Sequence, residues 1–273
     1  MEKLREKVLL RREEETLLIT LYAKTLAAPQ GILEDPAAWK LLDQIEYDFS
    51  KLRVPNGTRA TIVLRAKKID SVVRGFLARH PDGVVLHLGC GLDTRFNRVD
   101  NGLVTWVDLD LPAVISLRQK LFPPTPRYQM LAASAADLNW TDQVQAGGKA
   151  LLVAAEGLFM YLHEADVRGL IGKLCSAFPG CELVFDAFSE LTARRVGANP
   201  ALKKTGAAVH WGIDDALQIE SWAPGLRLEE EWYFSRSEDI ARMPFGFRLM
   251  NNLNLKAGLS KRLLLLKTVL LHR

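Results

Sequence analysis

A chain of 273 residues is long enough to bury one sizeable core, and 48% hydrophobic with 25% charged residues is the balance of an ordinary globular protein. The formal net charge of +4 permits contact with anions, but the basic residues are dispersed, which argues against a nucleic-acid-binding protein. The N-terminal stretch mixes both charge signs without the apolar run of a secretory signal, and no later apolar run approaches the roughly 18 residues of a membrane span. We therefore expect a cytoplasmic protein without a membrane or nucleic-acid partner.

The N-terminal part of the chain is predicted to be helical. Residues 2–48 show a charged, helical pattern that three helix breakers interrupt: Pro29, Gly31 and Pro36. Residues 58–79 form a strong amphipathic helix that ends at a turn signal. We predict a helical cap over residues 1–80 that packs on a core over residues 81–273, the two forming one structural domain.

Short, apolar, β-rich runs then alternate with helical patterns, which predicts parallel β-α-β units. These runs lie at residues 84–88, 103–108, 127–131, 150–155 and 181–187. Helices are expected near residues 190–195 and 213–222, and two late strands near residues 226–234 and 263–271 could pair antiparallel at one edge. The predicted fold class is α/β, with a doubly wound, mostly parallel seven-stranded sheet.

The cysteines give no sign of a metal or disulfide site. Cys90, Cys175 and Cys181 are odd in number and show no CxxC spacing. We interpret them as three small buried hydrophobic residues and predict no bound metal.

A glycine turn and a pair of acids predict a nucleoside ligand. Gly89 and Gly91 follow the first predicted strand, where glycine lets the backbone turn sharply and a ligand approach closely. Asp108 and Asp110 end the second, at the separation where a carboxylate accepts hydrogen bonds from ribose hydroxyls. The structural alternatives are an ordinary tight turn for the glycines and a helix N-terminal cap for one of the acids.

The residues after the turn favour a sulfonium over a diphosphate. A GxGxxG dinucleotide turn would need a third glycine at the position that Thr94 occupies. Asp93 also adds a carboxylate near the next helix N-terminus, where a diphosphate would otherwise lie. The pattern therefore indicates S-adenosylmethionine rather than a nicotinamide dinucleotide.

Two further acids follow the third and fourth predicted strands. Asp137 and Glu156 lie at the strand ends where ligands bind in open parallel sheets, and an acid there can hold an adenine amino group or an ammonium. Asp137 could equally cap the following turn, whereas Glu156 stands inside an apolar stretch where an acid is unusual. Arg95 could face the cofactor or a neighbouring carboxylate, and we favour a structural ion pair.

Ordered segments of the chain resemble the leucine carboxyl methyltransferase family, particularly its bacterial branch of polyketide O-methyltransferases. They are residues 35–38, 47–49, 65–70, 85–95, 107–112 and 155–162. The most specific are the Gly-x-Gly-x-Asp-Thr-Arg turn and the Asp-x-Asp-x-Pro element that follows it. The resemblance implies a Rossmann-like S-adenosylmethionine-dependent methyltransferase core, with N-terminal accessory helices closing over the cofactor.

The same resemblance assigns roles to individual residues. It puts Gly89 and Gly91 at the cofactor backbone and Asp110 on the ribose. The other positions that it implies are Asp137 and Leu138 near adenine, Glu156 near the methionine portion, and Arg65 with Lys24 on the methionine carboxylate. The C-terminal third matches only in general character, so the resemblance does not assign an acceptor pocket.

The acceptor side is predicted from chemistry alone. Methyl transfer depends mainly on positioning and desolvation, and a carboxylate acceptor needs no base, whereas a phenol or alcohol benefits from a nearby His or carboxylate. Tyr161, His163 and His210 are the candidates for acceptor contacts, the alternatives being a core tyrosine, a helix-start residue and a loop histidine. An apolar set near the C terminus could line an acceptor pocket, although we favour core packing for it. Its members are Met243, Phe245, Phe247, Leu249 and Met250.

These observations predict an S-adenosylmethionine-dependent O-methyltransferase acting on a carboxylate or hydroxyl, for example of a polyketide-like small molecule. The alternatives are a nicotinamide-dependent oxidoreductase on a similar fold and a non-catalytic S-adenosylmethionine-binding protein. A nucleic-acid methyltransferase is disfavoured, because no Asn-Pro-Pro-Tyr type segment follows the fourth predicted strand. The sequence makes no prediction of oligomeric state.

Overall fold

A central sheet organises the chain, whose computed structural model describes residues 15–26, 31–52, 54–198, 207–243, 245–256 and 261–268. The strands are β1 Val84–Leu88, β2 Thr105–Asp110, β3 Tyr128–Ala132, β4 Leu151–Ala155, β5 Glu182–Phe188, β6 Leu226–Tyr233 and β7 Lys261–Thr268. Their order in the seven-stranded sheet is β3-β2-β1-β4-β5-β7-β6. Strands β1 to β5 are parallel, and β7 lies antiparallel between β5 and β6. The predicted mostly parallel sheet with an antiparallel edge is confirmed.

The helices and strands alternate as the sequence pattern predicted. The helices are α1 Glu15–Leu26, α2 Pro36–Leu42, α3 Asn56–Arg79, α4 Arg95–Val99, α5 Pro112–Leu121, α6 Glu164–Ala177, α7 Glu190–Gly197 and α8 Phe245–Lys256. The helix expected near residues 213–222 is a 3-10 segment, Ala216–Trp222, that Asp215 caps. It begins late because the amide of Ile213 donates to the carbonyl of Phe188 at 2.9 Å, which ties Ile213 to the end of β5.

Strand β2 also begins later than predicted. The side chain of Asn101 accepts the amides of Leu103 and Val104 at 3.0 and 2.9 Å, so these residues form a turn and do not join the sheet. The strand then continues to Asp110, beyond the predicted end at residue 108. At the last strand, predicted residues 269–271 lie outside the described residues.

Both faces of the sheet are covered, which explains why its central strands are apolar throughout. Val84, Leu86 and Leu88 point to a cluster that contains one face of α6, whereas Val85 points to a cluster with α1, α2 and α3. This alternation follows from the period of two along a strand. The N-terminal helices therefore share a hydrophobic core with the sheet, and the division of the chain at residue 80 stays a prediction.

Three further expectations concern cysteines, membranes and metals. Cys90 and Cys181 are buried, but the interpretation is wrong for Cys175, which is partly exposed near the end of α6. No helix in the described ranges is long and apolar enough to cross a membrane. Within the same ranges no His, Cys, Asp and Glu side chains group as metal ligands would.

Candidate functional site

The glycine turn after β1 lies at the carboxyl edge of the sheet. Strands β2 and β3 lie on one side of β1 and strands β4 and β5 on the other, so the strand order reverses at this point. Gly89 has φ +61° and Gly91 has φ +51°, the left-handed region in which a side chain is strained. A Cβ on Gly91 would lie 2.9 Å from Leu17 Cδ2, and one on Gly89 would lie 3.1 Å from Leu158 Cδ1. The turn therefore requires glycine, and α1 covers it from one side.

Asp110, the last residue of β2, holds this turn from the neighbouring strand. Its two oxygens accept the amide of Gly91 and the amide of Leu111, each at 2.7 Å. The carboxylate is partly exposed, and burial raises its pKa. Because each oxygen can accept a further hydrogen bond, Asp110 can bind two adjacent hydroxyls. The N-cap of α5 is Leu111, so Asp110 is not the cap of that helix.

Asp108 has a structural role instead. It is fully buried and accepts hydrogen bonds from the Tyr128 hydroxyl at 2.6 Å and from Arg118. Burial raises the pKa of Asp108, but the charge of Arg118 and the hydrogen bonds outweigh burial and bring it to about 2. Arg118 also donates to the carbonyls of Gly91 at 2.7 Å and Asp93 at 3.0 Å. The Asp108–Arg118 pair therefore stabilises the glycine turn through these backbone hydrogen bonds.

Beside the turn lies a group of buried charged side chains, here called the ion cluster. Its members are Lys24, Asp35, Arg65, Asp70, Asp93, Arg95, Arg98, Glu156 and Asp186. Arg98 donates to Asp35 and Asp70 at 2.6 Å each and to Asp93 at 3.0 Å. An isolated buried charge is very costly, so each member depends on its partners to stay ionised.

Glu156, which directly follows β4, is surrounded by cations. One oxygen lies 3.2 Å from Arg65 Nε and 3.8 Å from Lys24 Nζ, and Arg95 contacts the other. Burial raises the pKa of Glu156, but the charges of Lys24, Arg65 and Arg95 outweigh burial and bring it to about 2. Arg95 also donates to Asp70 at 2.8 Å, which confirms the structural ion pair expected for this arginine.

Two buried atoms of the ion cluster have no hydrogen-bond partner among the described residues: Asp93 Oδ2 and Arg65 Nε. The other Asp93 oxygen lies 3.0 Å from Lys24 Nζ. A carboxylate oxygen can accept from an ammonium group, and a guanidinium nitrogen can donate to a carboxylate. Both atoms take part in ion pairs, Arg65 Nε at 3.2 Å from Glu156 and Asp93 Oδ2 at 3.3 Å from Arg95, but their hydrogen-bonding capacity is unused. They therefore fit the charged ends of an amino-acid zwitterion.

The predicted adenine contacts lie after β3. The amide of Ala133 donates to the carbonyl of Asp110 at 2.9 Å, so this segment begins beside the acid. Asp137 accepts the amide of Asn139 at 3.2 Å and caps the 3-10 segment Leu138–Gln143. Leu138 is partly buried against the hydrophobic core. The capping alternative for Asp137 is present in the structure, and contact of Asp137 and Leu138 with adenine stays a prediction.

The three candidate acceptor residues gather beyond β4. The rings of His163 and His210 lie 4.1 Å apart at 35°, and the amide of His210 donates to the carbonyl of Met160 at 2.9 Å. His163 is the N-cap residue of α6, which confirms the helix-start interpretation. Tyr161 is exposed and is therefore not a core tyrosine, and Arg65 is among its charged neighbours. Their contact with an acceptor stays a prediction.

Sequence reasoning missed several members of the ion cluster, and for Asp186 a signal was available. Asp186 lies within β5, an otherwise apolar strand, as Glu156 lies beside an apolar run. Its oxygens accept the amide of Gly157 at 2.6 Å and Arg65 at 2.7 Å. Asp70 and Arg98 carry no comparable signal, because charged residues on helices are normally exposed.

A cavity of about 710 Å³ adjoins this region, between α3, α7 and α8. Its lining includes Thr61 and Leu64 of α3 and Phe247 of α8. The residues of the apolar set near the C terminus have different environments in the structure. Core packing is confirmed for Met243, which is buried, whereas Phe247 lines the cavity. Core packing is wrong for Phe245 and Leu249, which are exposed. The side chain of Met250 lies outside the described part.

Comparison of the sequence with known proteins gives two strong likenesses. The sequence model of the family described as leucine carboxyl methyltransferase matches residues 8–175. The chain is 41% identical over 230 residues to the tetracenomycin polyketide synthesis O-methyltransferase TcmP of Streptomyces glaucescens. That alignment covers 83% of this chain and 85% of the relative.

Comparison with solved structures agrees at the level of the fold. A DUF574 family protein from Streptomyces avermitilis matches with a TM-score of 0.64 at 15% identity, over 95% of this chain and 100% of that one. The magnesium protoporphyrin IX methyltransferase of Synechocystis, crystallised with bound S-adenosylhomocysteine, matches with a TM-score of 0.50 at 14% identity, over 93% and 100%. These likenesses confirm the predicted Rossmann-like fold class.

Proposed function

The chain belongs to the leucine carboxyl methyltransferase family and is an S-adenosylmethionine-dependent methyltransferase, and from that premise we propose that it methylates an oxygen atom of a small-molecule acceptor. The observation that carries the proposal is the 41% identity to a polyketide O-methyltransferase over most of both chains. The cavity of about 710 Å³ beside the ion cluster supports it, since this volume suits a small organic molecule.

In this proposal the nucleoside of the cofactor lies at the carboxyl ends of β1, β2 and β3. Gly89 and Gly91 form the sharp turn that the nucleoside lies beside, and Asp110 accepts hydrogen bonds from the ribose hydroxyls. Asp137 and Leu138 border the adenine. The dinucleotide alternative is disfavoured because Thr94 is buried and its hydroxyl donates to Asp35 at 2.5 Å, where a third glycine would be needed.

The methionine portion is assigned to the ion cluster. Arg65 and Lys24 supply positive charge for its carboxylate, while Glu156 and Asp93 supply acceptors for its ammonium. The cluster contains both cations and carboxylates, so a zwitterion of zero net charge can bind there without adding a net buried charge.

The chain contributes positioning and desolvation more than acid-base chemistry. When bound, S-adenosylmethionine supplies an electrophilic methyl group whose C–S bond breaks, with the electron pair staying on sulfur, as the acceptor oxygen forms the new C–O bond. Helix α1 covers the glycine turn, which limits the access of water to this edge of the sheet. Arg65 and Glu156 fix the amino-acid end, so that the methyl group is held in one position.

The proposal is tested by transfer of labelled methyl from S-adenosylmethionine to an aromatic hydroxy acid, such as 3-hydroxy-2-naphthoate. We expect label in the organic product, and alkaline hydrolysis separates its two forms. A methyl ester releases labelled methanol, whereas a methyl ether does not. S-adenosylhomocysteine should inhibit the transfer.

The control is the same reaction with naphthalene-2-amine, which offers nitrogen and no oxygen. Transfer to the amine but not to the hydroxy acid would overturn oxygen as the methylated atom. Equilibrium titrations with S-adenosylhomocysteine and NAD accompany the assay, and we expect binding of the former alone.

A further inference from the structure

The cavity between α3, α7 and α8 adjoins the proposed methionine end of the cofactor site. Thr61 and Leu64 line it, and both lie on α3 within one turn of Arg65, which contacts Glu156. From the sheet, Lys261 opens β7 and lines the cavity. Its electrostatic neighbours include Arg65 and Asp186 of the ion cluster. A molecule in the cavity would therefore lie next to the proposed methionine end of the cofactor site.

The charged side chains that line the cavity are positive. The described lining residues include Lys261 and Arg195 but no aspartate or glutamate. Apolar side chains such as Leu64, Phe234 and Phe247 and neutral polar side chains such as Thr61 form the rest. A cavity that is mostly apolar with positive groups fits an apolar molecule bearing a negative charge.

Lys261 is the more buried of the two cations. It pairs with Phe188 in the sheet register, and its ammonium lies 5.5 Å over the ring of that residue. In the described part of the chain no carboxylate lies within ion-pair distance of its nitrogen, in contrast to the paired Lys24. Burial lowers the pKa of Lys261, Arg65 adds to this effect and Asp186 opposes it. An anion at this position would remove the unfavourable burial of an unpaired charge.

We propose that this cavity is the acceptor site and that Lys261 binds an anionic oxygen, either a carboxylate or an ionised phenol, of a flat, apolar acceptor. This assignment rests on the proposed oxygen methylation and names the class of acceptor for it. Lys261 binds and orients the acceptor. The Phe247 ring and Leu64 contact its apolar surface.

The test is isothermal titration of three probes into protein saturated with S-adenosylhomocysteine: 2-naphthoate, its uncharged isostere 2-naphthamide, and 2,4-dinitro-1-naphthol as an ionised phenol. We expect one or both anions to bind about ten-fold or more tightly than the amide, from a hydrogen bond to a charged group. A preference shown by one anion alone identifies the oxygen that Lys261 binds as carboxylate or phenolate, and a preference shown by both means that Lys261 binds either.

Lys261→Met should remove that preference and leave amide binding unchanged, while Lys261→Arg should retain it. Affinity for S-adenosylhomocysteine reports that each variant is folded. Thr61→Trp serves as a second variant, since a larger side chain at this lining position should weaken all three probes without changing S-adenosylhomocysteine binding. If neither anion binds better than the amide, or if Lys261→Met keeps the preference, the proposal is overturned.

The two proposals fail in different ways. Labelled transfer to oxygen together with an anion preference that does not depend on Lys261 would overturn the acceptor site alone. Anion binding that depends on Lys261, in a protein that transfers label only to nitrogen, would overturn the proposed oxygen methylation alone.

Discussion

At the scale of single residues, burial separates two acids of the same type on one strand. Asp108 is fully buried and accepts hydrogen bonds from protein groups such as Tyr128 and Arg118. Asp110 ends β2, and within the described residues its hydrogen bonds come from two backbone amides. Residue type alone could not distinguish these roles, since both positions carry aspartate next to apolar neighbours.

The replacement Asp110→Ala tests the ribose assignment. Loss of hydrogen bonds from two hydroxyls to a charged group should weaken S-adenosylhomocysteine binding about ten-fold or more. Isothermal titration measures the change. The matched control is Asp100→Ala, which removes an acid just before β2, at the opposite edge of the sheet, and should leave the affinity unchanged. Equal affinity in the Asp110 variant and the wild type would remove the assignment.

At the scale of secondary-structure elements, α1 completes a turn that belongs to the sheet. Leu17 of α1 occupies the space that a side chain at position 91 would need, and Lys24 on the same helix reaches Asp93 and Glu156. One helix therefore supplies both a cover for the glycine turn and a charge for the ion cluster. Prediction of a helical cap identified the element but not these two contacts.

The replacement Gly91→Ala tests this packing. The positive φ should cost about 1 kcal/mol of unfolding free energy, and the 2.9 Å approach of the new Cβ to Leu17 Cδ2 should add to it. Urea denaturation measures the loss. Gly102→Ala is the control, because Gly102 has φ +80° but open space around it, so it should lose only the backbone part. In a Leu17→Ala background the extra loss at position 91 should disappear, and its persistence there would argue against the contact.

At the scale of the whole molecule, the ion cluster joins the N-terminal helices to the sheet. Arg98 of α4 connects Asp35 before α2 with Asp70 of α3, and Arg65 of α3 connects Glu156 after β4 with Asp186 of β5. Removing one partner of a buried ion pair is strongly unfavourable, because the other charge stays buried. The stability of the fold should therefore depend on keeping these carboxylates ionised.

This dependence predicts a loss of stability in acid. The pKa of Glu156 is about 2 in the folded chain, below its value in an unfolded chain, so its contribution is complete above pH ~4.3 and disappears as the pH falls toward 2. Asp108 behaves in the same way. The unfolding free energy, measured by urea denaturation at several pH values, should fall most steeply between pH ~4.3 and ~2. Glu156→Gln should make that fall shallower, and an unchanged slope in this variant would contradict the role of Glu156.

The predicted elements depended on local patterns, and these are what the sequence determined. The apolar run 84–88 and the amphipathic run ending at residue 79 matched β1 and α3 closely, since strand and helix periodicity is visible within one segment. Positive φ at Gly89 and Gly91 was implied in the same way, because a sharp turn after a buried strand favours glycine. The α/β fold class and the cofactor class followed from these neighbouring signals.

Tertiary structure alone decided which charges meet. Arg65 and Asp186 are 121 positions apart in the sequence and lie 2.7 Å apart in the fold. Lys261 likewise reaches the cavity only because β7 inserts antiparallel beside β5, opposite Phe188. Periodicity reports which face of an element is buried but not which distant side chain packs against that face. The glycine turn and its acid could therefore be found from the sequence, whereas the ion cluster and the cavity depend on how the elements pack.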